Sequence, residues 1–278
     1  MPAGKALVMV TNDDGVHSEG LVELARAASR HAEVVVVAPD SPQSATALSL
    51  TFHKPLRVSK LKGAEFETYA VSGTPGDCVM IGVNKILRRR PKLVASGINI
   101  GDNDTYQDIL ASGTVAAALE SAIAGIPAIA FSMEVEEEFL FSVGYSSPDF
   151  AKAARVAGGI VGDVLRHGMP EGAEALNVNF PAKVGPSPRM ALTAVARRKY
   201  TDGVIVRKDP RGRPYYWLFG EKLSAFPSDT DAEAVLVNRE VSVTPITLNF
   251  SGPITRDLEG LKRRVEAGLR QGDAAPHE

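Results

Sequence analysis

Unbroken aliphatic runs alternate with stretches of helical period through the first two thirds of this chain. Residues 6–10, ALVMV, are apolar at every position, the mark of a strand covered on both faces. The following SEGLVELARAASRH offers Ser18 as an N-cap and sets Leu21, Leu24, Ala25 and Ala28 on one side, which predicts an amphipathic crossover helix. EVVVVAPD (33–40) predicts a second strand ending at Pro39. TYAVSGTP (68–75) and KLVASG (92–97) give two more, separated by a helix with Cys78, Ile81, Gly82 and Lys85 at helical spacing. Residues 112–125 read as a helix with Val115, Leu119, Ala122 and Ile126 in one stripe and Gly125 as its stop. The strand PAIAF, a helix from Pro148 to about His167 and the strand ALNVNF complete the series. Strand–helix alternation of this kind specifies an α/β fold, a doubly wound, Rossmann-like and mostly parallel sheet.

Beyond about Pro181 the pattern changes. Residues 203–219 read as two strands around Asp-Pro-Arg-Gly, a β-hairpin by its turn chemistry. EVSVTPITLNF adds an extended segment, residues 255–269 a terminal helix, and RQGDAAPHE a frayed end. The expected division is a catalytic core over 1–185, a β-rich hairpin extension over 186–250 serving as an oligomerisation arm, and a terminal helix with tail over 251–278.

Composition narrows the class. The chain has 278 residues, 44% hydrophobic and 23% charged, with a net charge of −2, so no global basic field points to a nucleic-acid polymer. The triplets Arg88-Arg89-Arg90 and Lys262-Arg263-Arg264 are expected at helix C-terminal ends, where cations suit the dipole. A single cysteine, Cys78, excludes an intramolecular disulfide and a cysteine zinc site. No run reaches the ~20 apolar residues of a membrane span. A cytoplasmic location and no membrane partner are the expectation.

In an open parallel sheet, ligands bind beyond the carboxyl ends of the strands. The loops expected there are Asn12-Asp13-Asp14-Gly15, Pro39 to Ser44, and Gly97 to Asn103. Each is rich in carboxylate, hydroxyl and amide oxygens, a donor set that suits magnesium, manganese or calcium better than zinc or copper. Two adjacent carboxylates against an apolar strand also call for compensating charge. A fourth loop, Ser112-Gly113-Thr114, precedes a helix with no acid in its first turn, so its amides and hydroxyls form a candidate anion seat; a plain N-cap is the simpler reading. A cation facing an anion seat implies a phosphate between them.

The motifs VTNDDG, VVAPDSPQSA, VSGTPGDCV, ASGINIGDN and SGTVAAALESAIAGIPAIAFS, followed by DPRGRPYYWL, SDTDAEAV and VSVTPI in the same order, closely resemble the SurE family of stationary-phase survival proteins. The resemblance implies a metal-dependent phosphatase acting on nucleoside 5′- and 3′-monophosphates. It implies one divalent cation, Mg²⁺ or Mn²⁺, per subunit on Asp13, Asp14, Ser44 and Asn99. It also places phosphate contacts at Ser112, Gly113 and Thr114 with Asn12 and Asn103 adjacent, and a homodimer or homotetramer built partly by the hairpin. Ala111, His17 and Glu19 depart from the usual family pattern.

Direct attack of water is favoured over a covalent aspartyl intermediate, because adjacent acids point alternately rather than to one face. Asp13, Asp14 and Asn99 are the expected catalytic residues, and a small phosphomonoester, a nucleotide, the expected substrate. The rival class is a non-catalytic nucleotide sensor on the same rim; no dinucleotide or triphosphate glycine motif supports it. Tyr200, Tyr215, Tyr216 and Trp217 serve as interface anchors or fill the core beneath the hairpin.

Overall fold

The computed structural model describes residues 5–135, 148–218 and 220–272. They fall into two units divided between Thr247 and Leu248. The first is built on a nine-stranded sheet, β1 (Leu7–Thr11), β2 (Glu33–Pro39), β3 (Val58–Lys60), β4 (Glu67–Val71), β5 (Leu93–Ile100), β6 (Ala128–Met133), β7 (Ala175–Phe180), β8 (Met190–Leu192) and β11 (Val241–Ile246), in the order β3-β4-β2-β1-β5-β6-β7-β11-β8. The strands from β4 to β7 run parallel; β3 is antiparallel to β4, and β11 to β7. The doubly wound α/β fold expected from the sequence is therefore present.

The four strands β1, β2, β6 and β7 are buried almost throughout because helices cover both faces, which is why they read as continuous apolar runs. On one face α1 (Glu19–Ser29) packs against α5 (Phe150–His167), and Leu21, Leu24, Ala25 and Ala28 enter a core with Val8, Val10, Phe131 and Phe180. On the other, α2 (Pro75–Ile81) packs against α4 (Gly113–Ile123). Helix α1 begins at Ser18, whose hydroxyl accepts from the Leu21 amide. Gly20 is required there, since a Cβ would lie 2.1 Å from the Ile98 carbonyl oxygen.

Several boundaries differ from the sequence reading. The extended stretch ends at Val71, because Thr74 and Asp77 form a capping box that starts α2 at Pro75. Helix α2 runs on into a π-helical turn, Gly82–Ile86, so Arg88, Arg89 and Arg90 lie past the helical end. Arg89 pairs with Glu33. Strand β3 and a six-residue helix, α3 (Tyr106–Ala111), were not expected; the first is exposed throughout and the second is barely more than one turn. Strands β8 and β11, assigned from sequence to the extension, lie in the main sheet, where Val241 and Val243 join the core.

The hairpin β9 (Val204–Lys208) and β10 (Pro214–Leu218) forms its own two-stranded sheet. Tyr216 and Trp217 are 64% and 62% exposed, and Tyr200 and Tyr215 are also exposed, which corrects the reading of these rings as core filling. In the second unit, α6 (Arg256–Gly272) extends three residues past the expected end, and Lys262, Arg263 and Arg264 fall in its middle. No helix among the described residues is long and apolar enough to cross a membrane.

Candidate active site

Strand order reverses beside β1: the chain moves outward through β2 and β4, then returns to β5 on the opposite side of β1 and continues through β6 and β7. The crevice at such a switch point is where doubly wound sheets bind ligands. The loops that leave β1 and end β5 meet there. Asp14 Oδ2 accepts from the Ile100 amide at 3.0 Å, although 86 residues separate them. The neighbouring Asn99 turns its Nδ2 to the Gly101 carbonyl at 2.7 Å, which leaves its side-chain oxygen as an acceptor. A bulge between Ser96 and Asn99 re-aims the end of β5, and the Gly97-Ile98 peptide is cis. Gly97 has φ +127°, and a Cβ there would meet the Phe131 carbonyl oxygen at 2.1 Å, so no other residue fits.

The loop after β2 is latched to the first by main-chain bonds. The Gln43 amide donates to Asp13 O at 2.7 Å and the Val16 amide to Pro39 O at 2.8 Å. The Ala47 amide reaches Ala111 O at 3.0 Å, tying the same loop to the residue before Ser112. Ala45 and Ala47 sit at φ +54° and +53°, a left-handed conformation that costs about 1 kcal/mol or more per non-glycine residue. Ser44 immediately precedes the first of these strained alanines, exposed, on the loop bonded to Asp13.

Asp13 is 5% exposed. Its Oδ1 accepts from the Thr114 hydroxyl at 2.5 Å, and the backbone at Gly113 and Thr114 favours its charged form. Ser112 Oγ accepts from the Val115 amide at 3.1 Å, the simpler N-cap role considered for it. The acid missing from the first turn of α4 is thus supplied by Asp13, about a hundred residues upstream, and the helix dipole stabilises that carboxylate. Gly113 makes the approach possible: a Cβ would stand 2.8 Å from Asp13 Cβ.

Burial raises the Asp13 pKa, against the Thr114 hydroxyl and amides that lower it. Asp14 is raised to about 6, first by burial and then by the Asp13 charge. No cationic side chain among the described residues offsets the pair. This is the fit expected of a cation site whose donors are oxygens. Two adjacent carboxylates without a cationic partner suit a hard divalent ion.

The remaining expected contacts are more deeply framed. Asn12 is fully buried, its Nδ2 donating to Ser18 Oγ at 2.6 Å and to Gly15 O at 3.1 Å, and its Oδ1 has no partner. Asn103 faces inward: its Nδ2 donates to Ser132 Oγ at 2.7 Å, its amide donates to Asn179 Oδ1 at 2.7 Å, and its carbonyl accepts from Asn177 and Asn179. Asn103 is therefore a buried anchor for the loop after β5. The sequence reading missed Ser132, Asn177 and Asn179, although polar residues within otherwise apolar strands are a visible signal.

A family model described as survival protein SurE matches residues 8–202. A 5′-nucleotidase SurE of Methanocella arvoryzae is 44% identical over 246 residues, covering 88% of this chain and 92% of that protein. One of Hyperthermus butylicus is 40% identical over 269 residues, covering 95% and 94%. The crystal structure of SurE protein from Aquifex aeolicus matches with a TM-score of 0.80 at 38% identity, over 92% of this chain and 99% of that one. All three donor loops and the head of α4 lie inside the matched segment, and the chain belongs to the SurE family.

Proposed function

We propose that this protein is a metal-dependent 5′-nucleotidase that hydrolyses nucleoside monophosphates to nucleoside and phosphate. The observation that carries the reading is the meeting of Asp13, Asp14 and the Asn99-Ile100 turn at the switch point, a buried and a half-buried carboxylate with no cationic side chain beside them among the described residues. Asp13 and Asp14 would hold a single Mg²⁺ or Mn²⁺ through carboxylate oxygens, with Asn99 and Ser44 adding neutral ones. When bound, such a cation supplies charge that polarises a phosphoryl oxygen and acidifies water for direct attack. The protein's own part is orientation. The Thr114 hydroxyl fixes the Asp13 carboxylate, and the Ile100 amide fixes that of Asp14.

The phosphate contacts are assigned to the segment Ser112, Gly113 and Thr114, the positive end of α4 beside the carboxylates, with Asn12 and Asn103 bracing the flanking loops. A cytoplasmic setting agrees with the single, buried Cys78. We assign to the hairpin the role of an oligomerisation arm in a homodimer or homotetramer.

The test is release of inorganic phosphate from a panel of 5′- and 3′-nucleotides, with and without Mg²⁺ or Mn²⁺, by the wild type and by Asp13→Asn. Metal-dependent release that the substitution abolishes is the expected result. Activity surviving both chelation and Asp13→Asn overturns the reading.

A further inference from the structure

One buried cation lies outside the carboxylate pair and is not used by the chemistry above. Lys199 is 4% exposed, and its Nζ stands 2.7 Å from Asp102 Oδ2, 3.1 Å from Asp104 Oδ1 and 3.1 Å from Asp108 Oδ2. All three acids belong to the segment that joins Asn99 to Ser112. Asp104 is fully buried and reaches Nζ without an aligned hydrogen bond, so the ammonium is the only charge compensation the segment shows for it among the described residues.

The position of Lys199 in the chain gives the cluster its consequence. Lys199 stands at the neck of the hairpin arm, where the outgoing and returning strands pair: Leu223 N donates to Lys199 O at 2.8 Å and Thr201 N to Glu221 O at 3.0 Å. Just before it, the chain runs beside the same rim segment, with the Tyr106 amide donating to Ala196 O at 2.9 Å. The rim segment is held from its other side by Asn177 and Asn179 of β7, which grip the Asn103 main chain. Removing the ammonium would free this side and leave Asp102 and Asp108 crowded against the buried Asp104 carboxyl with no cation among them. Both Asn99, at one end of the segment, and the α4 head, at the other, would then lose their fixed separation.

We propose that Lys199 is a positioning residue of the phosphohydrolase site: by gathering Asp102, Asp104 and Asp108 it sets the distance between Asn99 and the head of α4, and so ties the seating of the arm to turnover. The proposal rests on the nucleotidase reading. It places Lys199 out of contact with substrate, so its effect falls on the rate at saturation rather than on substrate affinity. A misplacement of about 1 Å suffices for a rate loss of order a hundredfold.

The experiment uses the full chain with Mn²⁺ and 5′-AMP, in the wild type, Lys199→Met, Lys199→Arg and Asp102→Asn, with thermal unfolding of each. Expected are a kcat at least tenfold lower in Lys199→Met and Asp102→Asn with KM within threefold of wild type, and a kcat within about threefold of wild type in Lys199→Arg. If Lys199→Met does not fold, Asp102→Asn decides by the same criterion. A folded Lys199→Met or, failing that, Asp102→Asn with wild-type kcat overturns the proposal, and so does a folded Lys199→Arg as impaired as Lys199→Met. A wild type without metal-dependent activity instead refutes the nucleotidase reading on which the proposal depends.

Discussion

Replacing Gly113 with alanine isolates the contact on which the site's geometry rests. Gly113 is the first residue of α4, and its φ lies outside the left-handed region, so alanine is compatible with the backbone. Intrinsic helix preference and the stiffer unfolded chain would even favour alanine by up to about 1 kcal/mol. Against this stand three heavy atoms: Asp13 Cβ at 2.8 Å, Asp13 Oδ2 at 3.0 Å and Pro75 Cγ at 3.1 Å from the added methyl carbon. None is the free end of a flexible chain, because Asp13 is buried and pinned by Thr114 and Pro75 opens α2. Overpacking of this kind costs about 1–3 kcal/mol, so the net loss of stability is expected between about zero and 3 kcal/mol. The larger effect falls on function, because relief requires Asp13 to move by several tenths of an ångström. A fall in kcat/KM of about tenfold or more follows for an alignment-dependent reaction. Urea denaturation and metal-dependent phosphate release at saturating Mn²⁺ measure the two terms. An alanine variant with wild-type turnover and unchanged Mn²⁺ dependence refutes the claim that the α4 head sets the Asp13 position.

Two further outcomes follow from burial and exposure. Asp231 is fully buried and burial pushes its pKa up to about 7 from 3.8. The unfolded chain therefore releases this proton first, so the stability of the protonated form is complete below about pH 4 and is lost as pH rises through about 7, by up to roughly 4 kcal/mol at ~1.4 kcal/mol per pH unit. Asp104, raised to about 8 chiefly by burial and then by the Asp102 charge, acts in the same direction. Denaturation at pH 5 and pH 8 is expected to show a smaller drop in Asp231→Asn than in wild type, and equal drops would disprove the assignment. On the hairpin, Val206 pairs with Tyr216 and Val204 with Leu218, giving one exposed apolar face on a two-stranded sheet that would be marginal alone. Tyr216→Ser with Leu218→Ser is expected to lower the assembly mass seen by light scattering, and an unchanged mass in the folded variant would rule the arm out as a subunit contact.

What the sequence made legible follows the physics of each element. Strands buried on both faces announce themselves as unbroken apolar runs, so β1, β2, β6 and β7 were readable to within a residue or two. Strand β3 lacks such a run because all three of its residues are exposed, and α3 shows itself only through the Thr105 and Asp108 cap. The donor loops could be found because doubly wound topology sends chemistry to one rim. Which atoms satisfy which within that rim depends on tertiary approach: the head of α4 shows no acid along the chain, and the Asp13 carboxylate, bonded by the Thr114 hydroxyl, stands beside it. Lys199, inside the run ARRKY, reads as an ordinary surface lysine, since its three acidic neighbours lie nearly a hundred residues earlier.

The latches that join the loop after β2 to the loop after β1 and to the residue before Ser112, Gln43 to Asp13, Val16 to Pro39 and Ala47 to Ala111, use main-chain atoms alone. Exchange of the side chains at Gln43, Val16 or Ala111 leaves those bonds in place. The frame is therefore insulated from much of the drift along its own loops, and a lineage can reshape what enters the crevice while the oxygen donors stay in register.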